Sequence, residues 1–294
     1  MPESDTTTTK PQKKSPVIAG FELLKRVGRG GMGTVYRARQ ISVDRIVAVK
    51  VLKPALANSK SFISRFKDEA KAAAQLNHPN IVQAIDAGED QGYYYFAMEF
   101  VDGETLHRLM LREGVLEEKR ALKIARDVTM ALAHAFQHGI VHRDIKPGNI
   151  MISQQFETKL CDLGLARVMA DEDPQLGKGA ALGTPYYISP EQAKGMTDVD
   201  SRADIYSLGA TLFRAVVGRP VYSAATPAEI LELHVKAPLP WPKDFNPELS
   251  EEVYRSLPIA GAEGTLERRF RDETPEAEVR AKSGYLSGVS ALSG

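Results

Sequence analysis

The pattern of apolar and polar positions divides the chain from Phe21 onward into strands and helices. Residues 21–51 read as strand, glycine turn, strand, turn, strand, with alternating, β-branched flanks around the glycines. Residues 61–76 change period: Phe62, Phe66, Ala70 and Ala73 recur at three- or four-residue intervals, which predicts a helix. Residues 81–101 give two strands, the second running from Tyr93 to Val101 and ending at an Asp102-Gly103 turn. The three tyrosines 93–95 read as cross-strand packing. Residues 106–138 are helical, with Ala121, Ile124, Ala125, Val128, Leu132, Ala135 and Phe136 on the apolar face. A short strand is predicted at 149–152 and a helix at 227–235. Residues 1–16 are Thr, Lys, Ser and Pro without apolar periodicity, and predict a disordered leader that ends by residue 20.

Composition narrows the function classes. With 294 residues, 43% hydrophobic and 26% charged, the chain can form one large domain or two modest lobes. Lys+Arg and Asp+Glu are equal at 38 each, so nothing favours bulk attraction to nucleic acid or to a membrane surface. A single cysteine, Cys161, excludes an internal disulfide and suits a reducing cytoplasm. No apolar run approaches the roughly 18–20 residues of a membrane-spanning helix. Met1-Pro2-Glu3-Ser4-Asp5 does not start a signal peptide. The expectation is a soluble, cytoplasmic protein.

Three stretches carry candidate chemistry. In His142-Arg143-Asp144-Ile145-Lys146-Pro147-Gly148-Asn149 a carboxylate, an ammonium and a carboxamide lie two and three residues apart. Phosphoryl transfer needs such a set: a carboxylate to orient and accept a hydroxyl proton, a cation for the γ-phosphate, and an amide oxygen for a metal ion. A polar loop capping a helix is the plain alternative, since Asp, Asn and Pro are ordinary turn residues. Gly28-Arg29-Gly30-Gly31-Met32-Gly33 lets backbone amides approach phosphates closely. A dinucleotide fold would open a helix after these glycines and place an acid about 20 residues on, whereas the flanks here favour a hairpin. No G-x-x-x-x-G-K-[S/T] is present to anchor a P-loop reading. Val47-Ala48-Val49-Lys50 sets a lysine in an apolar strand, where it should be paired or functional. His134 and His138 have metal-binding spacing without a third ligand nearby, so a structural or exposed role is the better reading.

Taken together, and in this order along the chain, the motifs resemble those of protein kinases, most of all the eukaryotic-type serine/threonine kinases of bacteria. The resemblance runs from Phe21 to about Glu252. It implies an α+β, two-lobed fold, with a β-rich N-lobe (21–101), a mainly helical C-lobe (102–252) and ATP·Mg²⁺ in the cleft. It implies catalytic roles for Asp144 and Lys146, with Lys50 on the α/β-phosphates held by Glu69, the acid that fits the family's E-A-x-x-x-x-x-L-x-H-P-N pattern. Asn149 and Asp162, the latter in a D-L-G variant of D-F-G, would hold Mg²⁺. Val27, Gly28, Arg29, Gly30, Gly31, Met32, Gly33 and Thr34 would form the phosphate lid. Val35 and Ala48 would roof the adenine, Met98 would be the gatekeeper, Glu99 and Val101 would offer backbone hydrogen bonds, and Met151 and Cys161 would line the other side. Gly183-Thr184-Pro185-Tyr186-Tyr187-Ile188-Ser189-Pro190-Glu191 matches the closure that receives protein substrate, with Thr184 near Asp144 and Lys146. Asp204 would accept hydrogen bonds from the catalytic-loop backbone.

Two departures from the family pattern stand out. Residues 165–182 contain no Ser, Thr or Tyr, so activation by phosphorylation within that interval is not expected, and Asp171-Glu172-Asp173 could offer charge to Arg143. After residue 252 the expected helices, and the arginine that pairs with Glu191, give way to an Arg/Glu-rich, Ser/Gly-ending stretch (253–294). A divergent ending and a truncated or frame-shifted C-lobe both predict this. That ending is the one feature favouring a pseudokinase, an ATP-binding interaction module, over an active kinase.

Overall fold

The computed structural model describes residues 17–30, 33–54, 56, 60–162, 185–250 and 253. The N-lobe is built on a five-stranded antiparallel sheet of order β1-β2-β3-β5-β4. The strands are β1 (Phe21–Arg29), β2 (Gly33–Gln40), β3 (Arg45–Leu52), β4 (Ala84–Asp90) and β5 (Tyr93–Glu99). Helix α1 (Lys60–Ala74) connects β3 to β4. The outer face carries Ile18, Phe21, Ala38, Val47, Val49, Val51 and Ala97, and on the face toward α1 Leu52, Tyr94 and Phe96 pack with Phe66 of that helix. β3 is therefore covered on both sides, which is why its sequence is a near-continuous apolar run rather than an alternation. The tyrosines divide between the faces as packing residues, Tyr93 and Tyr95 outside and Tyr94 inside.

Register places the site-forming side chains of this lobe. Val35 lies opposite Lys50, and Ala48 opposite Met98, so these four project from one face of the sheet. The opposite face belongs to the Val47, Val49 and Val51 cluster. β1 and β2 form a hairpin, not a strand leading into a helix, with Arg29 opposite Thr34 and the Gly30 N–H bonded to the Gly33 carbonyl at 2.9 Å. A Cβ on Gly33 would run into the Val51 carbonyl oxygen, so that glycine lets β2 and β3 approach.

The remaining elements form the C-lobe: β6 (Gly103–Thr105), α2 (Leu106–Glu113), α3 (Glu118–Gln137), β7 (Ile150–Ser153), β8 (Thr158–Leu160), α4 (Pro190–Ala193), α5 (Ser201–Val217) and α6 (Pro227–Lys236). One continuous core unites α2, α3, β7, β8 and α5, with Phe213, Leu132, Ile145 and Leu160 among its buried members. α5 is buried almost along its length, and caps fix the helix starts: Thr105 for α2, Asp200 for α5 and a Thr226/Glu229 capping box for α6.

Three features differ from the pattern reading. The single helix expected over 106–138 is two helices, because Gly114 takes a left-handed φ of 77° as the C-cap of α2 and the Leu116 N–H turns to the Ala215 carbonyl. The turn expected at Asp102-Gly103 opens a strand, β6, that pairs with β7. Chain order also begins before residue 21: Ile18 is 2% exposed, bridges to Phe21 and joins the outer N-lobe cluster.

Candidate active site

The loop between α3 and β7 presents Asp144, and its geometry is fixed from the C-lobe. Both Asp144 carboxylate oxygens accept from the Lys146 ammonium, at 2.8 and 2.6 Å. Asn149 Nδ2 donates to the Asp144 carbonyl at 2.8 Å and to its carboxylate at 2.9 Å. With Nδ2 so committed, Asn149 can turn only its oxygen toward a cation. Asp204, buried on α5, accepts from the His142 and Arg143 N–H groups at 2.7 and 2.6 Å. Burial pushes the Asp204 carboxyl above the ordinary carboxylate range, and these bonds oppose that push. His142 has a defined tautomer: its Nδ1 accepts from the Asp144 N–H at 3.2 Å, so its Nε2 carries the proton and donates to the Cys161 carbonyl at 3.0 Å.

Across the cleft, Lys50 is 6% exposed and donates to Asp162 Oδ1 at 2.8 Å. Burial alone would raise the Asp162 carboxyl, but Lys50, with His142 and Lys146, holds it below the ordinary range. Asp162 has a left-handed φ of 60°, a conformation that costs energy and persists only where neighbours fix it. Cys161, next to it, is half-buried; desolvation of its thiol raises it well above the ordinary value, and its Sγ–H donates to the Asn149 carbonyl at 3.2 Å. That keeps the sulfur protonated and unreactive.

The lobes meet along residues 80–83 and 99. Asn80 Nδ2 donates to the Thr158 carbonyl, and the Leu160 N–H to the Asn80 carbonyl. Glu99 pairs with Lys159 of β8 at 2.9 Å, and its N–H goes to the Gln83 carbonyl. This pair, 60 residues apart in sequence, was not foreseen. Arg37 lies over the Phe100 ring at 5.6 Å, beside the same connection.

The structure thus brings together Lys50, Asp144, Lys146, Asn149, Cys161 and Asp162 from both lobes. Val35, Ala48 and Met98 lie on the sheet face that carries Lys50. Glu69 lies on α1, but its side chain, like Gly31, Met32, Thr184 and the 171–173 acids, is outside the described residues. His134 and His138 stack in a row with His78, ring centroids 4.5 and 5.3 Å apart. His78 Nδ1 accepts from the Asn80 N–H, so its other nitrogen carries a proton rather than a lone pair. Among the described residues no group of three His, Cys, Asp or Glu could hold a metal. Glu191 is half-buried and has no ion pair among the described residues, so leaving it unpaired costs less than full burial would.

The protein kinase domain family matches residues 21–257. The chain belongs to that family. The serine/threonine-protein kinase PknB of Mycolicibacterium smegmatis is 43% identical over 246 residues, covering 81% of this chain and 39% of PknB. PrkC of Bacillus subtilis is 38% identical over 260 residues, covering 88% of this chain and 40% of PrkC. The chain therefore spans about two-fifths of the length of these curated relatives. Among solved structures, the Mycobacterium tuberculosis PknI kinase domain superposes with a TM-score of 0.67 at 28% identity, covering 95% of this chain and 97% of that one. Rad53 in complex with AMP-PNP superposes with a TM-score of 0.67 at 26% identity, covering 82% and 61%. A second family, D-Ala-D-Ala carboxypeptidase 3 (S13), matches residues 244–294 and overlaps the kinase match at 244–257.

Proposed function

We propose that this chain is a serine/threonine protein kinase domain, transferring the γ-phosphoryl group of ATP to Ser or Thr hydroxyls of proteins. The observation that carries the reading is the Asp144 carboxylate, held by Lys146 and Asn149 and facing the Lys50–Asp162 pair across the cleft. Asp144 accepts the hydrogen bond of the incoming hydroxyl and takes its proton as the new O–P bond forms and ADP leaves. Lys146, already on that carboxylate, lies where it can offset charge on the transferring group, and Lys50 holds the α/β-phosphates. The β1–β2 hairpin, with its glycines, would form the lid over the phosphates.

The donors fit Mg²⁺: the Asn149 oxygen and the Asp162 carboxylate are hard ligands, too few for an all-protein cage, as expected of an ion shared with nucleotide phosphates. When bound, the ion neutralises phosphate charge. ATP binding is also supported by the likeness to Rad53, whose structure holds AMP-PNP. The Lys, the base and both metal-ligand residues are all present, which leaves the pseudokinase reading with nothing but the divergent 253–294 stretch.

The same reading places residues 21–252 in the kinase unit and 253–294 in a segment of another kind. Leu249 and Val253 lie in the C-lobe core, and Asn246 bonds to the Val216 carbonyl of α5, so these three residues pack with the kinase C-lobe. A cytoplasmic setting is supported by the chain's single cysteine, which cannot form an internal disulfide, and among the described residues no helix is long and apolar enough to cross a membrane. Incubation with γ-labelled ATP and a basic protein substrate, followed by phosphoamino-acid analysis, tests the assignment. Label on serine and threonine that vanishes on chelating Mg²⁺ is expected. Label confined to tyrosine, or none from folded protein that binds ATP, contradicts it.

A further inference from the structure

Arg143, the residue before the proposed base, has a left-handed φ of 64°. A residue with a side chain keeps that conformation only where its surroundings over-determine it. Three parts of the C-lobe do so here. Asp204 of α5 takes the Arg143 N–H at 2.6 Å, and the Val199 carbonyl takes its guanidinium Nη2–H at 2.9 Å. Gln192 of α4 takes the remaining group: its Nε2 donates to the Arg143 carbonyl at 2.8 Å.

The Gln192 amide cannot turn round. Its Oε1 accepts from the Ser189 N–H at 3.3 Å and the Ser189 hydroxyl at 3.1 Å, and Ser189 Oγ caps the Gln192 N–H at 3.4 Å. This is a capping box with its acceptor fully engaged, so Nε2 is the end that must face the loop. The carbonyl it holds belongs to the 143–144 peptide, whose N–H is held by His142 Nδ1 at 3.2 Å. Both edges of the peptide that leads into Asp144 are therefore pinned, and one of the pins comes from the helix that follows residues 185–189.

We infer that Gln192 is a positioning residue for Asp144, fixing the 143–144 peptide plane from α4 and so coupling the substrate-receiving segment to the base. The inference rests on the phosphoryl-transfer reading above. A displacement of the carboxylate by about 1 Å is enough to cost about 100-fold in rate.

Gln192→Glu separates this role from helix capping. Glutamate serves the third position of a capping box as well as glutamine does, so the Ser189 bonds survive while the donor to Arg143 becomes an oxygen. At neutral pH kcat should fall about 10- to 100-fold, with KM for ATP within about twofold of wild type. Lowering the pH protonates the introduced carboxylate and restores an O–H donor, so the variant-to-wild-type ratio of kcat should rise. Glu191, His142, Arg143, Asp204, Tyr206 and His234 surround the position, are common to both proteins and cancel in that ratio. Thr226→Ala, which removes the equivalent capping box of α6 and leaves the Gln192–Arg143 bond intact, should stay within about threefold in kcat.

Hydrogen exchange over residues 141–149 gives a reading independent of activity: faster in Gln192→Glu than in Thr226→Ala. A folded Gln192→Glu protein with near-wild-type kcat, a ratio that stays flat with pH, or equal exchange in the two variants would overturn the inference. Wild-type protein that transfers no phosphate would instead sink the kinase reading, and exchange would still decide whether Gln192 pins the loop.

Discussion

The two sides of the cleft are held in different ways. On the C-lobe side, the loop backbone that carries the base is held at five points over one continuous core: the 142 and 143 N–H groups by Asp204 of α5, the 143 carbonyl by Gln192 of α4, and the 144 N–H and carbonyl by His142 and Asn149. On the N-lobe side, the glycine hairpin is joined at its tip, among the described residues, by the Gly30–Gly33 bond, and the sheet lies between two small clusters. Phosphoryl transfer needs both: a base whose direction does not drift, and a lid that admits and releases nucleotide. Substitutions on the C-lobe side should therefore strike turnover and stability together, and those at the hairpin tip should strike nucleotide handling alone.

The largest effect on the fold is expected for Asp204→Ala. It strands two N–H groups that are buried against α5, at about 1–3 kcal/mol each. Urea unfolding should show a loss of about 2–6 kcal/mol, together with a fall in kcat. A loss under about 1 kcal/mol would break the claim that the loop is clamped from α5.

Acid should weaken the C-lobe next. His234 of α6 is 2% exposed, bonds to the Tyr206 hydroxyl at 2.7 Å, and burial lowers it from 6.5 to about 4. The unfolded chain then binds the extra proton between pH 6.5 and about 4, so stability falls as pH falls through that window, by roughly 3 kcal/mol. His234→Gln should flatten that part of the stability–pH curve, and an unchanged slope would contradict the assignment.

The hairpin offers the smallest effects and a contrast within one motif. Gly33→Ala meets the Val51 carbonyl and should cost about 1–3 kcal/mol. Gly30→Ala meets nothing within 4 Å, so stability should change by about 0.5 kcal/mol or less while KM for ATP rises. Equal destabilisation by the two would mean the tip is as tightly packed as the strands.

Much of this was legible in the sequence because the motifs are local. The catalytic loop, the glycine hairpin, the Val-Ala-Val-Lys strand and Asp204 each announce themselves within a few residues. What was missed depends on long-range partners. The capping box Ser189-x-x-Gln192 could be read from spacing, but the Arg143 carbonyl that Gln192 serves lies 49 residues away. The Glu99–Lys159 pair and the stacking of His78 on His134 are likewise invisible to periodicity. Ile18 escaped because one apolar residue among polar ones gives no period, and Gly114 because the helical pattern resumes in phase after it.

The most direct test of the account compares wild type with Asp144→Asn for transfer of label from ATP to a Ser/Thr protein substrate, with nucleotide affinity measured on both. Transfer should drop about 10²- to 10⁴-fold while ATP affinity stays within about twofold, since the base acts only on the hydroxyl. Transfer that survives in the folded variant would contradict the assignment of Asp144 and, with it, the claim that the C-lobe clamps exist to aim that carboxylate.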